Sequence, residues 1–145
     1  AVDRVGAMLG LAFPAGPALE RLAEESSRDF RPRVAMKGAE PCLSGVENQC
    51  RRMRDEGEVP ADVARYCLCF LREALLGMAA HVVETYPGRP LVWAGGVMSN
   101  RFLQQALAIS YPQACFAPPA FSADNAAGVA LLCAARHGEV VKCPR

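Results

Sequence analysis

Leu91-Val92-Trp93-Ala94-Gly95-Gly96-Val97-Met98-Ser99-Asn100 is an apolar run that breaks at two glycines and enters helical spacing at Arg101. A buried strand, a turn and a helix start form the unit on which α/β proteins hold phosphate groups, since helix-start N–H groups and the helix dipole face the ligand. Downstream, a second apolar run, Ala114 to Ala117, leads through Pro118-Pro119 to Ser122-Ala123-Asp124-Asn125-Ala126-Ala127-Gly128 and another helical pattern. Strand, helix, strand, helix at this spacing predicts a parallel pair with a right-handed crossover. Two such turns close together point to one site built from both. Gly95-Gly96 offers positive φ or close backbone approach. Ser99 or Asn100 can cap the next helix or touch a ligand, and Asp124 is either a helix cap or a hard oxygen ligand for a metal bridging phosphates.

Upstream the pattern is mostly helical. Val2, Val5, Met8 and Leu9 share helical spacing up to Gly10, and Phe13-Pro14-Ala15-Gly16-Pro17 is a turn. Pro17 then starts a helix to about Glu25, with Leu19 and Leu22 inward. From Phe30 to Gly38 the period changes to two, predicting a half-exposed strand with Val34 and Met36 on one face. Pro41 to Asn48 reads as a turn into a short helix, with Ser44 and Glu47 in capping-box spacing. Val59 to Tyr86 is the longest predicted helix, with Val63, Cys67, Phe70, Ala74, Met78 and His81 on one face. Pro87-Gly88 stops it, and Gly138 stops the helix expected from Asn125 to Arg136.

Composition sets broad limits. The 145 residues are 52% apolar, and 16 basic against 15 acidic side chains leave a net charge of +1, so bulk charge selects no partner. The seven cysteines include no CxxC pair and no histidine at finger spacing, which predicts reduced, buried thiols in a cytoplasmic protein rather than a disulfide or zinc framework. No signal peptide is apparent, and Arg72, Glu73 and His81 interrupt the longest apolar stretch, so no membrane span is expected. The chain opens without Met inside an apparent helix, as a piece of a longer protein would.

Four separated motifs occur in a recognisable order. Asp3-Arg4-Val5 with Met8-Leu9-Gly10-Leu11 and Phe13 to Glu20 comes first, then Leu43-Ser44-Gly45-Val46, Ala94 to Asn100, and Asp124-Asn125-Ala126-Ala127. Together they resemble the C-terminal half of the TsaD/Gcp family, formerly described as O-sialoglycoprotein endopeptidases and linked to threonylcarbamoyl transfer onto tRNA adenosine. The resemblance implies an α/β fold, the C-terminal lobe of an actin-like, Hsp70-like and sugar-kinase-like ATPase of ribonuclease-H type. Its small, partly parallel sheet would carry a large helical share. Residues 1–145 would be that single lobe, with the N-terminal lobe absent.

It further implies that Asp3, Gly16, Gly95, Gly96 and Asn100 bind an adenine nucleotide or acyl-adenylate, and that Asp124 completes a site for one divalent metal, iron or zinc. The family's remaining metal ligands are a His-x-x-x-His pair, whereas His81 and His137 lie far apart, so metal and nucleotide would both require the missing lobe. His81 is expected in a packed core or interface, and His137 at a helix end. Pro14-Ala15-Gly16-Pro17 replaces the family's Pro-Gly-Gly-Pro. Glu47 stands where Lys is usual, and Ala123 where Thr is usual. Implied partners are tRNA and other proteins of the threonylcarbamoylation complex, with a homodimer through an exposed lobe surface as a further expectation. Arg28, Arg31, Arg33, Lys37, Arg51, Arg52 and Arg54 could meet RNA phosphates if they share a face, against the alternative of a solvated surface. The rival readings are an ATP-dependent kinase or carbamoyltransferase on the same fold and a non-catalytic scaffold lobe. No catalytic nucleophile is assigned, and the fragment alone is expected to be inactive.

Overall fold

In a computed structural model, described over residues 1–121 and 126–136, α4 (Pro60–Thr85) is the element around which the others pack. Against it lie α1 (Val2–Met8), α2 (Gly16–Glu24), α3 (Ser44–Asp55) and α5 (Arg101–Ser110). Pro at the start of both α2 and α4 removes a donor that has no acceptor in a first turn and presets φ. The expectation that α4 buries a single face is too narrow. Asp62, Val63, Ala64, Cys67 through Arg72, Ala74 and Ala79 are all buried, so its middle is enclosed on every side. Met78 is only half-buried and His81 is exposed beside Gly38, so His81 belongs to no core among the described residues. Within α4 an 18-residue stretch has a mean hydropathy of 1.4, enough by length and composition to cross a membrane despite the charges, yet here it is the central packing helix.

The main core joins Val5, Leu19, Val46, Val63, Leu68 and Leu103, contributed by all five helices. Full burial of each such side chain is worth about 1.5–3 kcal/mol. A smaller cluster of Ala79, Leu91, Met98 and Leu107 lies at the far end of α4. There β3 (Val92–Trp93) and β4 (Cys115–Phe116) pair in parallel, Val92 opposite Cys115 and Trp93 opposite Phe116, as the sequence predicts. Bonds of 2.8 Å from Cys115 N–H to the Leu91 carbonyl and from Ala117 N–H to the Trp93 carbonyl extend the ladder. Helix α6 (Ala126–Arg136) follows where the sequence places it, while Ser122 to Asn125, His137, Gly138 and Cys143 lie outside the described residues.

Three expectations are corrected. The strand expected from Phe30 to Gly38 shrinks to β1 (Met36–Lys37), paired antiparallel with β2 (Glu40–Pro41). Exposure does alternate from Arg31 to Lys37, but where the run begins the backbone meets arginines of α4 rather than a partner strand. Arg65 Nε donates to the Arg28 carbonyl at 3.1 Å and Arg72 Nη2 to the Phe30 carbonyl at 2.8 Å. Ser44 does not cap α3. It sits inside the helix with its Oγ 3.2 Å from Cys42 Sγ, and Glu47 is drawn to Arg4 and Arg51, each at 3.0 Å. Finally, Cys50, Cys67 and Cys69 are buried thiols, but Cys42, Cys115 and Cys133 are exposed.

Candidate functional site

Four of the residues singled out in the sequence converge. Asp3 from α1, Gly16 from the start of α2, and Gly96 and Asn100 from the turn after β3 line one cavity of about 380 Å³. That is within the roughly 300–1,000 Å³ that small-molecule sites occupy. Glu20 and Ser99 add polar groups, and Val2, Leu68 and Leu103 supply apolar wall.

Asp3, Asn100 and Glu20 also hold the wall together. Asp3 Oδ1 accepts the Ala15 N–H at 2.9 Å and so fixes the turn that carries Gly16. Gly6 permits this approach, because a Cβ there would collide with the Ala15 Cβ. Asn100 caps α5, its Oδ1 accepting the Leu103 N–H at 3.0 Å. Glu20 Oε1 reaches across from α2 to accept the Arg101 N–H at 2.6 Å. The sequence did not single out Glu20 as a site residue. The signal was its position four residues after Gly16, on the same side of a helix.

The two glycines differ. Gly95 has φ of 114°, a backbone conformation that requires glycine, and it precedes a 3₁₀ turn at Gly96–Ser99 without itself lining the cavity. Gly96 lines the cavity, and a Cβ there would meet nothing within 4 Å. The helix start is not the open phosphate cradle that its position suggests, since Glu20 and Asn100 already take two of the first N–H groups of α5. Among the described residues the lining contains two carboxylates and no cation, so it suits hydroxyl donors better than a bare phosphate. Asp3 and Glu20 each keep a second carboxylate oxygen for a ligand, and Asn100 keeps its amide N–H₂.

Asp124, expected as a metal ligand, lies outside the described residues. Among the described residues no group of three His, Cys, Asp or Glu side chains could hold a metal ion, so this part of the chain does not by itself fit the expected metal. The basic side chains divide. Arg28 pairs with Glu58 and Asp62, Arg31 with Asp29, Arg51 with Glu47 and Arg54 with Asp55. Arg52 meets only the exposed Glu56, at 3.6 Å, while Arg33 and Lys37 make no ion pair among the described residues.

Helices from three parts of the chain and a strand–glycine–helix turn thus define an α/β domain with a cavity at the carboxyl end of a parallel strand. The chain belongs to the TsaD family, whose model, described as tRNA N6-adenosine threonylcarbamoyltransferase, matches residues 1–141. Proteins carrying that name in Thermus thermophilus and Gluconobacter oxydans are 34% and 35% identical to it, over 94% and 90% of this chain. One from Streptococcus suis is 30% identical over 96% of the chain. The matches cover 43%, 41% and 45% of those relatives, so the chain spans less than half of their length.

Proposed function

We propose that this chain is the C-terminal lobe of a two-lobe, actin-like transferase that moves a threonylcarbamoyl group from its adenylate to N6 of a tRNA adenosine, and that the cleft holds the nucleoside part of the donor. The observation that carries the reading is the convergence of Asp3, Gly16, Gly96 and Asn100 from three separate segments on one cavity of about 380 Å³. The second carboxylate oxygens of Asp3 and Glu20 would accept hydrogen bonds from ribose hydroxyls. The Asn100 amide donates to an acceptor on the ligand, and Val2, Leu68 and Leu103 give the base an apolar surface. In the transfer, N6 forms a bond to the carbamoyl carbon and loses a proton, the bond from that carbon to the phosphate oxygen breaks, and AMP leaves with the electron pair. This chain's share is to hold the adenylate by its ribose and base. Asp124 is proposed as one ligand of a divalent metal whose other ligands would come from the other lobe, and no step is assigned to it.

The test uses the full protein and AMP as the probe. Asp3→Asn keeps an oxygen for the Ala15 N–H and removes the charge, so the turn survives while the hydroxyl acceptor weakens. Calorimetric titration should show the parent binding AMP more tightly than 3′-deoxy-AMP, and D3N losing most of that preference with about a tenfold fall in AMP affinity. Equal affinity of D3N and the parent for AMP would reject the assignment.

A further inference from the structure

A second cavity, of about 480 Å³, lies between α3, α4 and the segment that leads into β1. Its charge is the reverse of the first. Arg33 and Arg52 line it, and no Asp or Glu lines it among the described residues. Both guanidinium groups are available: Arg33 has no ion pair or hydrogen bond among the described residues, and Arg52 makes only the 3.6 Å contact to Glu56, with both side chains of that pair more than half exposed. Asn48 and Gln49 contribute amides from α3, and Ser44 and Gly45 line it from the helix's first turn, which no side chain caps.

The inner wall is aromatic. Tyr66 and Phe70, one turn apart on α4, both line the cavity, and Tyr66 is held by an edge-to-face contact with Phe30 at 5.5 Å between ring centroids. Arg52 of α3 and Tyr66 of α4 line the same cavity. Planar guanidinium groups match phosphate oxygens in paired hydrogen bonds, and an aromatic wall gives a flat ring a surface to stack on. An adjoining groove shares Ala35 and Cys42 with the cavity and carries Lys37 and Glu40, so the excess of positive charge is confined to the cavity itself.

The geometry points to a nucleotide-unit site in this second cavity, with the phosphate between Arg33 and Arg52 and the base against Tyr66. The source is an RNA strand or a free mononucleotide, and the strand rests on the RNA acceptor proposed above.

The full protein is titrated, by fluorescence anisotropy, with a fluorescein-labelled single-stranded RNA oligonucleotide at several salt concentrations and, by calorimetry, with UMP. Arg33→Ala/Arg52→Ala should weaken RNA binding about tenfold and make the slope of log K against log salt shallower by about 1.4, two single-strand phosphate contacts' worth. Both residues are on the surface, and an unchanged melting temperature checks the fold. Loss of RNA binding without any UMP binding by the parent identifies a strand, and UMP binding by the parent that the double variant loses identifies a mononucleotide site. Unchanged RNA affinity and salt slope, together with unchanged UMP binding, overturn the proposal. AMP binding and its sensitivity to D3N report on the first cleft separately, so failure of one reading leaves the other measurable.

Discussion

Asn100 does two things that a pair of substitutions can separate. Its Oδ1 caps α5 through the Leu103 N–H at 3.0 Å, and its amide nitrogen is free to face the cleft. Asn100→Ala removes both. Losing an Asn cap costs about 1 kcal/mol, and the Glu20 bond to the Arg101 N–H keeps the helix start from losing a second partner. For a domain of this size, melting as its own transition within the full protein, that lowers the midpoint by about 3 °C. Asn100→Asp behaves differently, because Asp caps a helix about as well as Asn and the midpoint should stay within about 1 °C. In the cleft, however, it replaces two N–H donors with an oxygen and adds a third carboxylate to Asp3 and Glu20. Loss of one hydrogen bond, at about 1 kcal/mol, with added like charge should lower AMP affinity about tenfold or more. Thermal melts and calorimetric titration of the full protein measure the two effects separately. An N100D variant that binds AMP as the parent does would show that the amide is only a cap, and an N100A variant with an unchanged midpoint would show that it is not one.

Two further outcomes follow from the packing. Gly6→Ala places a Cβ against the Ala15 Cβ and should cost about 1–3 kcal/mol by forcing α1 away from the Gly16 turn, so a parental urea midpoint would contradict that contact. The Ser26 hydroxyl, and next the Arg28 guanidinium, hold the Asp62 carboxyl below its usual range, as Arg72, and next Arg31, hold that of Asp29. A depressed folded value contributes stability above the unfolded value near 3.9 and loses it as pH falls through the folded one. The stability gap between the parent and Asp62→Asn should therefore be full at pH 7 and shrink below about pH 4, and a gap that is constant with pH would exclude the ionic contribution.

The helices were legible because their signals are local. Pro17 and Pro60 mark starts, Gly10 and Pro87-Gly88 mark ends, and the apolar run, glycine pair and helix from Leu91 to Ser110 determine each other's boundaries. Two of the misses involve partners distant in sequence. Nothing near Phe30 announces that Arg65 and Arg72 will take the carbonyls of Arg28 and Phe30, and nothing near Ser44 announces that Arg4 will compete for Glu47. The cleft was legible in Asp3, Gly16, Gly96 and Asn100 through family motifs. Its acidic character was not, because that depends on Glu20 crossing from α2 to the Arg101 N–H.

One turn of α4 separates the two cavities. Leu68 lines the first, and Tyr66 and Phe70 line the second. Two residues along a helix are about 160° apart around its axis, so the leucine and the aromatic pair project from opposite sides of the same cylinder. One helix is thus a wall of both chambers, and a sideways displacement of α4 toward one is a displacement away from the other.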